Sequence, residues 1–336
     1  MRSAVLAAPE KPLDLVERDM PEPGPGEILV RVTACGMCFS EVNQFRGHYP
    51  FARFPVVPGH EISGVVAALG QGVDWPEPGT RVGAQFLYAS CGHCDYCIRG
   101  DEMLCTGPNH ATGINHDGGY QEYFVARAGF LTPLPSGLDP VAAAPLMCAG
   151  VTAFNGLRQG GAAAGSKVAV LGTGGVGTMA VRFAAAIGAR VAVVSRSRRA
   201  EGEARALGAE LFVATDEQDP AEALTAWGGA DLVMNTAPST ATAQAALGGL
   251  RPDGTLQILG FDQGELSVPP MPLVLGRKRV MGSPSGAPHD LRDTLAFAAT
   301  HGILPEVTPV KLDDAPRVLA EMTEGTHRGR SVITFD

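Results

Sequence analysis

Two patterns of apolar residues divide the chain. Up to about residue 150, short alternating stretches such as Ile28-Leu-Val-Arg-Val-Thr33, Gly64-Val-Val-Ala-Ala-Leu69 and Arg81-Val-Gly-Ala84 are broken by proline and glycine clusters, among them Pro21-Glu-Pro-Gly-Pro-Gly26. Alternation with a period of two, cut at short intervals by turn residues, predicts many short strands and a barrel-like fold. From about residue 151 the apolar residues instead come in unbroken, valine-rich blocks: Lys167-Val-Ala-Val-Leu171, Arg190-Val-Ala-Val-Val194, Glu210-Leu-Phe-Val213, Asp231-Leu-Val-Met-Asn235, Thr255-Leu-Gln-Ile-Leu259 and Arg279-Val-Met-Gly282. Blocks without alternation suit strands covered on both faces. Alanine-rich stretches of helical periodicity separate them, as over residues 176–187 and 200–207. Six such strands joined by helical crossovers predict an α/β domain with a doubly wound parallel sheet. From about Pro284 the chain offers one further helix, over residues 291–300, and two short strands, and is expected to rejoin the first domain. The domains are therefore drawn as 1–150 with 284–336, and 151–283.

Composition narrows the class. A chain of 336 residues with 45% apolar residues can bury two sizeable cores. The net charge of −9 and the scattered lysines and arginines argue against a polyanionic partner, whether nucleic acid or a membrane surface. No apolar run reaches the length of a membrane span. Charge closes in on the short apolar stretch of Met1-Arg-Ser-Ala-Val-Leu-Ala-Ala-Pro-Glu-Lys11 too soon for a signal peptide. A soluble cytoplasmic protein with reduced thiols is expected.

Seven cysteines then need a use. Cys91, Cys94, Cys97 and Cys105 are spaced C-x2-C-x2-C-x7-C, and short loops of this spacing fold four thiolates around one tetrahedral Zn²⁺ with no position left for water. Disulfides are the bland alternative, but they need an oxidising compartment and fit a C-x2-C pair poorly. Gly172-Thr-Gly174-Gly175-Val176-Gly177 follows the first buried strand and opens a helix, the context in which a G-x-G-x-x-G run cradles a dinucleotide pyrophosphate. About twenty residues on, where NAD-binding folds place a carboxylate on the ribose 2′-hydroxyl, this chain reads Ser195-Arg196-Ser197-Arg198-Arg199. With no carboxylate to repel a 2′-phosphate and guanidiniums to meet it, the turn points to NADP(H). Cys38, His60 and Cys148 lie far apart in sequence. A Cys₂His set can hold a zinc whose fourth position is open, but spacing leaves their convergence undecided.

Together these residues resemble the zinc-containing medium-chain alcohol dehydrogenases over nearly the full length. The resemblance is carried by Cys35-Gly-Met-Cys38, by Gly59-His60-Glu61 with Gly64 and Gly70, by the four-cysteine lobe (about 91–105), by Pro145-Leu-Met-Cys148-Ala-Gly150 and by the glycine-rich loop. Ser195-Arg196-Ser197 and the stretch around His301-Gly-Ile-Leu-Pro305 are similar to the NADPH-dependent cinnamyl-alcohol-dehydrogenase-like aldehyde reductases. The resemblance implies a GroES-like β-barrel catalytic domain beside a Rossmann domain, with the active site in the cleft between them. It implies two zinc ions and NADP(H) per chain, hydride transfer between NADP(H) and an alcohol/aldehyde pair, and a homodimer or homotetramer. It makes Cys38, His60 and Cys148 the catalytic zinc ligands and Glu61 an alternate or supporting ligand. Ser40 stands where the substrate oxygen finds its hydrogen bond, and Glu41 where an acid supports the zinc shell. Phe86 matches a large aromatic of the substrate pocket. Cys35 is left as a buried apolar residue.

Two departures stand out. Phe39 replaces the usual His or Arg that touches the pyrophosphate, and Asn43 replaces the His that commonly passes the alcohol proton to solvent. His48 is near in sequence, but nothing in the pattern promotes it. His93, His110, His116, His289, His301 and His327 belong to no motif and are read as structural or solvated. Alternatives are a same-fold reductase of an imine or conjugated alkene, which Asn43 makes thinkable, a zinc-free quinone or enoyl reductase, which lacks these ligands, and a non-catalytic NADPH-binding protein.

Overall fold

The computed structural model describes residues 1–108 and 110–335. The chain forms two compact units, Met1–Cys148 with Gly286–Asp336, and Ala149–Ser285. In the first, β1 (Arg2–Leu6) and β2 (Leu13–Glu17) make an antiparallel ribbon. The backbone of the unit is β3 (Glu27–Gly36), a ten-residue strand rich in β-branched and apolar residues. Helix α1 (Phe39–Phe45) follows it directly. Next come β4 (Glu61–Leu69), β5 (Arg81–Ala84), and the small pair β6 (Leu87–Ala89) and β7 (His110–Ala111), between which lies the one-turn helix α2 (Asp95–Ile98). β8 (Tyr123–Arg127), β9 (Leu131–Pro133) and the short α3 (Pro140–Ala143) complete this part.

The second unit opens with α4 (Ala149–Gln159), whose Thr152 and Asn155 hold Ser285 at the unit's other end. Its sheet runs β12-β11-β10-β13-β14-β15, where β10 is Lys167–Leu171, β11 Arg190–Ser195, β12 Ala209–Ala214, β13 Ala230–Asn235, β14 Leu250–Ile258 and β15 Arg279–Gly282. All five pairings are parallel. The order reverses at β10, the first strand, and α5 (Gly175–Ile187) starts there. Val168, Ala169, Val170 and Leu171 are each fully buried, as expected of a strand covered on both faces. β14 begins five residues earlier than the valine-rich block suggested. The strand takes in Pro252-Asp-Gly254 as an irregularity: Asp253 has φ +68° and the register with β13 shifts between Ala230 and Leu232.

The chain then returns to the first unit. Helix Pro288–His301, β16 (Thr308–Val310), helix Ala315–Glu324 and β17 (Ser331–Thr334) all belong to it. β17 pairs with β3, so the main sheet reads β16-β17-β3-β4-β5-β9, with β8 also on β3. Ile28, Val30, Val32, Ile62, Val66, Tyr120, Phe124 and Ile333 form its core. Among the described residues no single helix is long and apolar enough to cross a membrane.

Candidate metal centres and cofactor loop

Strand register brings the first site together. Gly36 at the end of β3 pairs with Glu61 at the start of β4, and with Val332 of β17 on its other side. Cys38 follows β3 by two residues and His60 precedes β4 by one, so both side chains emerge at one end of the sheet. Arg330 arrives at the same end from the β17 side. A Cβ at Gly36 would stand 2.0 Å from Glu61 Oε2, so any other residue there would displace the Glu61 carboxylate. Cys148 reaches the cluster from the break between the 3₁₀ turn Ala144–Met147 and α4.

The donor atoms of Cys38, His60, Glu61 and Cys148 all lie within 4.8 Å of one another. Cys38 Sγ and Cys148 Sγ are 3.8 Å apart. A tetrahedral ion with bonds of about 2.3 Å sets neighbouring sulfurs about 3.8 Å apart, whereas a disulfide needs about 2.05 Å. His60 and Glu61 are fully buried, and His60 Nε2 finds no hydrogen-bond partner. A buried, orphaned imidazole nitrogen beside two thiols fits a zinc site and is costly otherwise. Glu41 holds the arrangement from behind. Its Oε2 accepts from the Cys38 backbone N–H at 2.6 Å, and its Oε1 stands 2.7 Å from His60 Nδ1. A carboxylate beside one ring nitrogen is the usual support of a metal-ligating histidine.

Charge in the cluster follows from burial. Burial alone pushes the His60 pKa down, but Glu41 and the Cys38 thiolate outweigh it and hold the ring well above the ordinary histidine range. The Cys38 thiol is held well below its usual range, chiefly by a hydrogen bond from Cys148, whose own thiol is pushed up. Burial pushes Glu61 up to about 8 against the Arg330 guanidinium, with which it forms an ion pair. Ser40 Oγ stands 3.6 Å from Cys38 Sγ. The Phe86 ring meets His60 edge-on at 5.4 Å.

The second cluster is Cys91, Cys94, Cys97 and Cys105, again with all donors within 4.8 Å. Cys91 and Cys97 sulfurs are 3.8 Å apart, and those of Cys94 and Cys97 3.5 Å. None is a disulfide. Backbone N–H groups of Cys91 and Gly107 donate to Cys105 Sγ, each at 3.3 Å, and that of Cys94 to Cys91 Sγ at 3.4 Å. Such donors stabilise thiolates. The Cys94 thiol is held down to about 5, first by backbone hydrogen bonding at Cys97, then at Thr106.

The glycine loop meets the demands of a pyrophosphate cradle. Gly172 turns with φ +101°, and a Cβ at Gly177 would stand 2.2 Å from Gly172 O. At Gly174 nothing lies within 4 Å of a Cβ, leaving open space before the N-terminus of α5. α5 has no side-chain cap, so the N–H groups of its first turn are free for an anion. Past β11, Arg198 is engaged by Glu201 at 2.7 Å and Glu217 at 2.8 Å. Arg196 and Arg199 are exposed and, among the described residues, make no ion pair.

The other residues that the sequence marked out separate cleanly. Cys35 is fully buried, Phe39 is 42% exposed, and His93 and His48 are exposed. His110 and His116 bond each other at 2.9 Å and Tyr88 stacks on His116, and neither histidine joins either donor cluster. Arg330 was not anticipated. It carries no motif and lies 269 residues from Glu61, so only the β17–β3 pairing reveals it.

Residues 24–136 match the alcohol dehydrogenase GroES-like domain, and residues 175–300 the zinc-binding dehydrogenase family. The chain is 36% identical to an alcohol dehydrogenase of Geobacillus stearothermophilus, over 100% of both chains. It is 36% identical to the NADP-dependent alcohol dehydrogenase C of Mycobacterium bovis, over 94% of each. A solved cinnamyl alcohol dehydrogenase from Sorghum bicolor superposes with a TM-score of 0.89 at 29% identity, covering 99% of this chain and 97% of that one. The chain therefore belongs to the zinc-dependent medium-chain alcohol dehydrogenases, with the GroES-like and Rossmann folds of that family. Its function is that of an NAD(P)-dependent alcohol dehydrogenase, and it carries two candidate zinc sites.

Proposed function

We propose that this chain interconverts an alcohol and an aldehyde with NADP(H), using a catalytic zinc held by Cys38, His60 and Cys148 and a structural zinc held by Cys91, Cys94, Cys97 and Cys105. The observation that carries the reading is the convergence of Cys38, His60, Glu61 and Cys148, remote in sequence, on one point. When bound, zinc supplies a Lewis acid for the substrate oxygen, and the nicotinamide gives or takes the hydride.

The chain's own residues do the rest. Glu41 accepts from the Cys38 backbone N–H and sets its carboxylate beside His60 Nδ1. Arg330 neutralises Glu61 and holds it at the edge of the donor cluster, as an alternate or supporting ligand. Ser40, beside Cys38 Sγ, hydrogen-bonds the substrate oxygen and takes or returns its proton. Gly172, Gly174, Gly175, Val176 and Gly177 bind the pyrophosphate, and Ser195, Arg196, Ser197 and Arg199 meet the 2′-phosphate. In solution we infer a homodimer or homotetramer, in keeping with the apolar side chains exposed on helix Pro270–Gly276.

Elemental analysis tests the metal reading. Freshly purified protein should hold about two equivalents of zinc. Cys148→Ser should lose one of them and nearly all NADPH-dependent reduction of an aldehyde panel, while its circular dichroism stays that of the parent. One equivalent in the parent, or a Cys148→Ser protein with undiminished turnover, would remove the basis of the proposal.

A further inference from the structure

The parallel sheet of the second unit brings the ends of β10, β13 and β14 to one rim, and a single side chain ties the last two together. Asn235 is the last residue of β13 and is 1% exposed. Its backbone carbonyl accepts from Leu259 N–H at 3.0 Å and from Gly260 N–H at 2.8 Å, just past the end of β14. Its side-chain Nδ2 donates to Gly260 O at 2.9 Å and to Ala237 O at 3.2 Å. Both partners are carbonyl oxygens, so the atom facing them has to be the amide nitrogen. The loop after β13 is bonded to β10 as well. Thr236 N–H and Ala237 N–H both donate to Leu171 O at 3.0 Å, and the Thr236 hydroxyl does so at 2.7 Å. The glycine loop lies against this segment: a Cβ at Gly172 or Gly177 would stand 3.2 or 2.9 Å from Thr236 Oγ1. A Cβ at Gly260 would stand 2.6 Å from Thr236 O. Farther out, Asp262 closes the two loops a second time. Its Oδ2 accepts from Thr240 N–H at 3.1 Å and its Oδ1 from the Thr240 hydroxyl. Between the two ties in sequence, Phe261 is 60% exposed.

We propose that Asn235 is a positioning residue for the nicotinamide half of the dinucleotide, because it joins the loops after β13 and β14 into one rim continuous with the glycine loop. The proposal rests on the cofactor reading given above. In the sheet order, β11 and β13 flank β10. A dinucleotide whose pyrophosphate sits on the loop after β10, and whose adenosine end meets the turn after β11, has its other half on the β13 side. There the rim is held by backbone bonds that reach β10 and by two side chains, Asn235 at its base and Asp262 at its outer end. A surface already ordered before binding loses less conformational freedom when the ligand arrives, and so binds it more tightly. Without the Asn235 amide the two loops lose the tie at their base and keep the exposed one at Asp262.

The test is equilibrium binding by isothermal titration calorimetry rather than turnover. The ligands are NADPH or NADH, whichever the parent binds more tightly, and its counterpart without nicotinamide: adenosine 2′,5′-bisphosphate for NADPH, ADP for NADH. Asn235→Leu keeps the volume of the side chain and removes the donor. It should weaken the whole dinucleotide about tenfold, the size of one or two lost hydrogen bonds, and leave the nicotinamide-free ligand at parental affinity. Asp262→Ala should act in the same direction and more weakly, because the tie at Asn235 remains. Equal losses of both ligands in Asn235→Leu would make Asn235 a structural residue of the sheet and overturn the proposal. Parental affinity for both ligands in that variant overturns it too. If Asn235→Leu does not fold, Asp262→Ala decides, and an unchanged affinity for the whole dinucleotide then overturns the rim. A parent that binds none of these ligands removes the cofactor reading itself.

Discussion

Among the described residues Arg196 and Arg199, past the end of β11, make no ion pair, whereas Arg198 between them is tied to Glu201 and Glu217. That asymmetry sharpens the argument for NADP(H). A 2′-phosphate carries between one and two negative charges near neutral pH, and a free guanidinium can meet two of its oxygens at once. A guanidinium already bridging two carboxylates gains less from a third anion. A hydrogen bond to a charged group contributes roughly 1.5–3 kcal/mol, so Arg196→Ala should weaken NADPH about 10- to 100-fold and leave NADH nearly unchanged. Arg198→Ala should cost less, because it loses two surface ion pairs and no phosphate contact. The ratio of kcat/KM for the two cofactors in each variant measures this. Equal losses of both cofactors in Arg196→Ala would show that the turn does not read the 2′ position.

Among the elements, the four-cysteine lobe has the least besides its thiols to hold it. α2 is one helical turn and Glu102–Leu104 one 3₁₀ turn, and neither buries a residue. With no apolar core between them, the proposed structural zinc on the four thiolates would be what fixes the segment. Cys94→Ser should therefore release one zinc equivalent and open residues 91–105 to proteolysis, with a lower Tm, while the cluster of Cys38, His60 and Cys148 keeps its zinc. An uncut, metal-free lobe in Cys94→Ser would mean that backbone contacts hold it instead. The lobe was legible in the sequence because its ligands are local, and the Rossmann strands because burial on both faces writes an unbroken apolar block. The other site was not legible from spacing. Cys38 and His60 become neighbours only through the Gly36–Glu61 register of β3 and β4. Resemblance to a family supplied the grouping that periodicity could not. Arg330 had neither signal, since it reaches Glu61 only through the β17–β3 pairing.

At the scale of the whole molecule, one surface of the Rossmann unit is apolar where water should be. β15 is an end strand of the six-stranded sheet, paired on one side with β14 only. Beside it, helix Pro270–Gly276 exposes Met271 at 69%, Val274 at 77% and Leu275 at 80%. Val280 on β15 is also exposed. An open edge flanked by exposed large apolar residues is an association site or an aggregation hazard, and soluble proteins cover or charge such edges. A second copy can do so with the same surface, since two equal edges meet about a twofold axis and close the assembly. Each fully buried Val, Leu or Met side chain contributes about 1.5–3 kcal/mol, so the three residues of the helix, counted on both copies, supply much of a stable interface. The parent should sediment as a dimer or a tetramer at micromolar concentration. Leu275→Glu together with Val274→Lys should shift it towards monomer, because the substituted side chains would have to lose their hydration in the interface. Zinc content should stay at the parental value, since the ligands lie in the other unit. Sedimentation velocity over a hundredfold range of concentration reads the outcome. A parent that is monomeric throughout, or a double variant that associates as the parent does, would show that this face does not join copies of the chain.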